Sequence, residues 1–227
     1  MKNVLIGLFA VMTGLCSLSA RADSFTDGFE GSSIDPFWTL TGPGTATLTN
    51  TMAHSGAQSV ELTASTSFPW AINMVHDFGS DQTGSVSVWI QGESLCCDSG
   101  AALELDNKTG FASFMQSGNI NDPTNIAVRV NGPDVADFHT SASDWHHYEI
   151  DVAPTGVTFT FDGSTVLTDH AFTKFQSLEL TVFGGPGGTA FMDDFSVNTQ
   201  PAVPEPASAA LLLTAMSAIL LGKRRCG

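Results

Sequence analysis

Four groups of side chains in this chain have the types and spacing to do chemistry. Glu104 and Asp106 stand two apart in Ala101-Ala102-Leu103-Glu104-Leu105-Asp106-Asn107. On a strand they would share one face, where one carboxylate can attack while another protonates a leaving oxygen. Two acids on a strand are also what a solvated surface looks like, and a hydrolase is therefore only the third expectation for function. Asp27-Gly28-Phe29-Glu30, read as opening the first strand, and Asp193-Asp194, read in the last, form a second group. If those strands lie side by side, four carboxylates converge, and calcium, which takes about six to eight oxygen ligands, would relieve their repulsion. A plain turn at Asp27-Gly28 and an outward Asp194 remain the alternative.

The third group is aromatic and polar. In Ser85-Val86-Ser87-Val88-Trp89-Ile90-Gln91 the apolar residues take one face, leaving Trp89 and Gln91 among serines on the other. The same alternation leaves Asn125 and Arg129 opposite Ile126, Val128 and Val130. Such a face suits sugars, because a ring covers their C–H side while amides and a guanidinium reach their hydroxyls. Trp89, Gln91, Asn125 and Arg129 are thus candidate ligand-binding residues, with Trp89 and Arg129 expected on one sheet face; a loop laid over Trp89 is the other explanation. Trp38, Trp70 and Trp145 read as core. The fourth group, Cys96-Cys97, is too close in sequence for an ordinary disulfide, leaving a strained vicinal bridge or two free or intermolecular thiols. His146 and His147, neighbours on a strand, would point to opposite faces and cannot share an ion there. The chain contains no Gly-x-Ser-x-Gly, no P-loop and no His-Glu-x-x-His.

The elements that must position these groups are strands. Period-two segments recur at 58–64, 84–91, 101–107, 124–131, 145–152, 156–163, 176–183 and 189–197, separated by Gly, Pro, Asn, Asp and Ser. No helical period competes with them between the two ends. The pattern predicts an all-β, antiparallel two-sheet β-sandwich, with Asp162-Gly163 as a hairpin turn. Trp145-His146-His147-Tyr148-Glu149-Ile150, Gly156-Val157-Thr158-Phe159-Thr160-Phe161-Asp162-Gly163 and the closing Phe191-Met192-Asp193-Asp194-Phe195 resemble the concanavalin A-like jelly roll, laminin-G-type modules included. A galactose-binding-type jelly roll is the nearest rival. Several glucanases of the concanavalin A-like fold carry a Glu-x-Asp-x-x-Glu strand, and here Thr109 stands where the last carboxylate belongs. The Gly-Phe-Glu start and late Asp-Asp are similar to carbohydrate-binding modules with structural calcium. That resemblance implies Glu30, Asp193 and Asp194 as metal ligands, with Asp27 added by proximity.

Both ends carry addresses. Lys2, the apolar Val4 to Leu15 and Ala20-Arg21-Ala22 have the layout of a signal peptide over 1–22. At 203–227, Val203-Pro204-Glu205-Pro206 precedes an apolar run and Lys223-Arg224-Arg225. The run, Ala207 to Gly222, rises about 24 Å as a helix against roughly 30 Å of hydrocarbon, and can insert if the basic side chains snorkel. Box, short transmembrane helix and basic tail together resemble the PEP-CTERM sorting signal of Gram-negative bacteria. The resemblance implies recognition of Pro204, Glu205, Pro206, Lys223, Arg224 and Arg225 by an exosortase-type membrane transpeptidase, with transient anchoring and then an extracellular or outer-surface fate.

One domain, 23–202, lies between. It keeps three basic residues, Lys108, Arg129 and Lys174, against twenty-two acidic ones, a formal charge of −19. Such a surface repels nucleic acid and anionic lipid and tolerates neutral glycans. The expected function is a secreted, non-catalytic sandwich that binds or organises extracellular polysaccharide. A structural matrix or adhesion protein with protein partners comes second.

Overall fold

The structure, a computed structural model, describes residues 23–92, 99–119, 122–141, 143–185 and 187–202. The signal peptide, Cys96, Cys97 and the sorting signal lie outside the described residues. Alternation of apolar and polar residues builds fourteen strands and, among the described residues, no helix: β1 (Asp23–Asp27), β2 (Thr39–Thr41), β3 (Thr45–Thr49), β4 (Ser59–Thr63), β5 (Ile72–Gly92), β6 (Ser99–Asp106), β7 (Phe111–Asn119), β8 (Asp122–Val130), β9 (Asp134–His139), β10 (His146–Ala153), β11 (Gly156–Phe161), β12 (Ser164–Asp169), β13 (Phe175–Phe183) and β14 (Thr189–Pro201). All pair antiparallel. The expected class is therefore found, with one boundary moved: Asp27 closes the first strand rather than opening it.

The unusual element is β5, 21 residues long and shared by two layers. Its first part pairs with β2 and β13, in a cleft layer that continues β13-β6-β7-β8-β9. Its second part pairs with β10 and β14, in a back layer that runs β12-β11-β10-β5-β14 and adds β4 and β1 along the far edge of β14. The strand changes layer between Asp77 and Gln82, where the register against β13 jumps. Just beyond, Gly84 has φ +128°, and a side chain there would collide with the Asn198 carbonyl of β14.

The core fills the space between the layers. Leu103, Leu105, Ile126, Val128, Leu178 and Leu180 point in from the cleft layer, and Val86, Val88, Ile90, Ile150, Val152 and Val157 meet them from the back layer. Phe114 of β7 spans the interface, edge-on to Tyr148 of β10 at 5.4 Å and Phe159 of β11 at 5.2 Å. Asp162 (φ +46°) and Gly163 (φ +77°) join β11 to β12 with both central residues left-handed, as the Asp-Gly signal predicts.

Candidate functional site

Every residue pointing inward from the cleft layer leaves its neighbours pointing out, and register decides which of these meet. Antiparallel pairing sets Val75, Glu179, Glu104, Ser113, Arg129 and Asp134 in one row across β5, β13, β6, β7, β8 and β9. Glu179 and Glu104 are direct cross-strand neighbours, a relation that places Cβ atoms roughly 4.5–5.5 Å apart. They line an open cleft of about 310 Å³, with Arg129 at one side and Asn73, Thr181 and Phe183 at the other. Arg129 is held by Asp134, its Nε 2.5 Å from Oδ1.

This environment separates the two acids. Burial pushes the Glu179 carboxyl up to about 7, with the charges of Glu104 and Asp106 adding to the effect. Burial, then Asp106, also raise Glu104, and the Arg129 charge offsets only part of that rise. Among the described residues no donor hydrogen-bonds either carboxylate. Both carboxyls are therefore raised, Glu179 the further, and near neutral pH Glu179 is the one placed to give a proton.

The back layer treats its acids differently. A β-bulge between Asp193 and Ser196, with Asp194 at φ +46°, lets two consecutive carboxylates reach the same loop, 50–58. Asp193 Oδ2 accepts the N–H groups of His54 (2.8 Å) and Ser55 (3.0 Å), and its Oδ1 accepts that of Asp194. Asp194 contacts His54 Nδ1 and accepts the Ser55 hydroxyl, both at 2.7 Å. Glu30 Oε1 accepts the N–H groups of Ala57 and Gln58. Asp27 caps its own turn through Phe29 N–H and accepts Trp38 Nε1–H at 3.1 Å. Three of the four expected calcium ligands therefore pin one loop, and among the described residues no three metal-ligating side chains gather at one point.

The candidate sugar-binding residues do not form one platform. Trp89 and Gln91 lie on the outer face of the back layer, while Asn125 and Arg129 lie on the cleft layer, so the expectation that Trp89 and Arg129 share a face is corrected. The strand that carries Trp89 belongs to the back layer over that stretch, which alternation alone does not reveal. The Trp89 ring is covered by the loop: His54 stacks on it at 3.7 Å, and His147 sits at 5.1 Å. Gln91 is buried and donates its Nε2–H to the Ser143 carbonyl. Asn125, on β8, has a buried Oδ1 without a partner. Of the tryptophans read as core, Trp38 is buried and Trp145 half-buried, but Trp70 is 38% exposed. His146 and His147 diverge as expected, His146 turning inward onto Phe161 and Asp162.

No family model and no curated protein matches the chain. Solved structures do. A transglycosylase in complex with NAG superposes with a TM-score of 0.61 at 18% identity, covering 82% of this chain and 86% of its own. The Bacillus licheniformis beta-glucanase gives 0.55 at 13%, covering 77% and 97%. The laminarinase from Flavobacterium sp. UMI-01 gives 0.55 at 12%, covering 76% and 98%. The chain has the jelly-roll fold of these enzymes. That finding overturns the expectation of a non-catalytic sandwich, and the reading of Glu104 as a solvated surface acid falls with it, because that side chain is partly buried in the cleft.

Glu179 was missed in the sequence. Its signal was present: Leu103-Glu104-Leu105 and Leu178-Glu179-Leu180 are identical triplets, each with its leucines inward. Only strand pairing, which no local pattern reports, brings the two glutamates together.

Proposed function

We propose that this protein is a glycan-active enzyme that cleaves or transfers glycosidic linkages in the cleft layer, with Glu104 and Glu179 as the reacting pair. The observation that carries this reading is their direct pairing across β6 and β13 combined with the raised Glu179 carboxyl. The shared fold of a transglycosylase, a beta-glucanase and a laminarinase supports it. Glu179 donates its proton to the leaving glycosidic oxygen while the Glu104 carboxylate attacks the anomeric carbon, giving a glycosyl-enzyme. Glu179, now ionised, takes the proton of an incoming water or sugar hydroxyl, whose oxygen displaces Glu104. Water gives hydrolysis and a sugar gives transfer. Close cross-strand neighbours suit this double displacement, which uses carboxyls about 5–5.5 Å apart and retains configuration. Incubating the protein with soluble β-glucans and resolving products by mass spectrometry tests it. New reducing ends or transfer products are expected, lost in Glu104→Gln and Glu179→Gln; no product from any glucan, or unimpaired variants, would refute the assignment.

We also propose that the enzyme works outside the cell. The signal peptide over 1–22 and the PEP-CTERM-like segment over 203–227 support export, exosortase recognition and delivery to the outer surface of a Gram-negative bacterium. Replacing Pro204, Glu205 and Pro206 together is expected to leave the tail uncleaved; normal processing of that variant would make it an ordinary anchor.

A further inference from the structure

The loop at 64–71, between β4 and β5, carries two aromatic residues that the fold does not bury. Phe68 is 79% exposed and Trp70 38%, and their rings meet edge-on at 5.3 Å. Large apolar side chains held together at a surface call for an explanation that scattered exposed residues do not. The loop is anchored at both ends. Ala64 N–H donates to the Gly188 carbonyl at 2.8 Å, Trp70 N–H to Ser67 O at 2.9 Å, and Gly44 N–H to Ala71 O at 3.0 Å. Trp70 also sits at φ +51°, a left-handed backbone a bulky residue adopts only when its surroundings impose it.

Its position relative to the cleft decides what the pair is for. Ala71, the next residue, lines the cleft beside Asn73, Thr181 and Phe183. Along β5, Val75 marks the row of Glu179 and Glu104, so Ala71, where the loop enters the cleft, lies about 13 Å from that row along the strand and the aromatic rings lie beyond it. That is the reach of a short oligosaccharide. Between the two ends, the Thr181 hydroxyl donates to Asn73 Oδ1 at 2.7 Å, which leaves the amide hydrogens of this cleft-lining residue available to hydroxyl oxygens. Beside Glu104 and Glu179 stands a third acid, Asp106, with Arg129 as the neighbouring cation. The domain's charge of −19 extends the same sign over the surface. Polyuronates and anionic lipid are disfavoured on both counts.

We infer that Phe68 and Trp70 form a distal subsite that stacks on a neutral glycan chain running out of the cleft, so that the enzyme acts on chains longer than the reacting pair alone requires. This rests on the proposed assignment of the cleft, and the test separates the two. Titration calorimetry on the full chain carrying Glu104→Gln, which binds without turnover, compares a linear neutral β-1,3-glucan hexasaccharide with its disaccharide. Adding Phe68→Ala and Trp70→Ala is expected to weaken hexasaccharide binding roughly tenfold and leave disaccharide binding unchanged, and Trp70→Phe is expected to restore most of the loss. In the active protein the same pair should raise KM for the polymer with kcat held. Should the alanine pair impair folding, oxidation of Trp70 by N-bromosuccinimide in the chain carrying Glu104→Gln alone serves instead: bound hexasaccharide is expected to slow it.

Unchanged hexasaccharide affinity in the folded alanine variant, or oxidation that bound sugar does not slow, overturns the subsite. So does absence of any hexasaccharide binding. Sedimentation with phosphatidylcholine vesicles that depends on Phe68 and Trp70 would make the pair a membrane contact and overturn it too. Acid variants that are inactive while the aromatic variant binds normally would leave the reacting pair standing and remove the subsite. Acid variants as active as the unmutated protein, with binding still dependent on the aromatics, would do the reverse.

Discussion

The two outward faces of this sandwich both carry clustered acids, and they use them oppositely. On the back layer, Asp193, Asp194 and Glu30 accept hydrogen bonds from loop 50–58, which closes over Trp89. On the cleft layer, Glu104 and Glu179 face one another with no donor between them. N–H donors fix the back-layer carboxylates in place, although burial still raises Asp193 against them; Glu179, with burial and like-charged neighbours but no donor, holds its proton to higher pH and can pass it on. Donors, more than the number of acids, distinguish the face that pins a loop from the face proposed to react.

The largest effect that can break this contrast is on rate. Glu104→Gln and Glu179→Gln are each expected to lower kcat by about a thousandfold, within the range for a positioned acid or base, with melting temperature preserved; steady-state kinetics beside thermal scans check both. Next comes stability on the other face. Asp193→Ala strands the N–H groups of His54, Ser55 and Asp194, and is expected to cost about 3 kcal/mol in urea unfolding while glucan turnover changes less than about threefold. If activity collapsed with stability intact, the two faces would not be separate.

The pH dependence is smaller and has a definite sign. Glu179 is raised from 4.5 to about 7, so the folded protein holds a proton there that the unfolded chain has released. Its contribution to stability is fully present below pH about 4.5 and is lost as pH rises through about 7. After allowance for solvent at the open cleft, the loss is on the order of 1–2 kcal/mol. Denaturation at pH 5 and pH 8 measures it, and Glu179→Gln should remove this part of the slope. The kcat/KM profile should fall over the same upper limb. Calcium is the smallest lever: with Glu30, Asp193 and Asp194 already bonded to the loop, it is expected to raise the melting temperature by at most about 2 °C, reversed by chelator. A much larger rise would mean that an ion, and not the loop, holds the back face.

Much of the scaffold is legible in the sequence because half-buried strands alternate. Where alternation fails, so does the reading. Phe111-Ala112-Ser113-Phe114-Met115-Gln116 of β7 has apolar residues on both faces, since Met115 packs with Ala102 and Ala127 on the cleft side. The first half of β5 lies outside the alternating segments, which begin only at 84 here, because the strand uses the stretch from Asp77 to Gln82 to change layers. Trp89 and Arg129 are recognisable from alternation as outward side chains of note, whereas Glu104 reads as an ordinary surface acid. Their grouping is not recognisable, because which outward residues meet depends on register between segments as much as 75 residues apart in the case of Glu104 and Glu179. Trp70 was misplaced for a simpler reason: a tryptophan in a short loop gives no alternation to say which way it faces.

The strand shared by both layers also sets the order in which the molecule can be completed. In the back layer β5 has β10 on one side and β14 on the other, and β14 in turn holds β1, joining Asp23 to Thr199. Until the last strand arrives, one edge of β5 is unpaired in the middle of the sandwich and β1 has nowhere to dock. A chain emerging N-terminus first leaves the cleft layer split until β13 arrives between β5 and β6, and the back layer stays open until residue 201 is free, so a premature stop anywhere in β14 should leave an edge that recruits neighbouring chains rather than a smaller working domain.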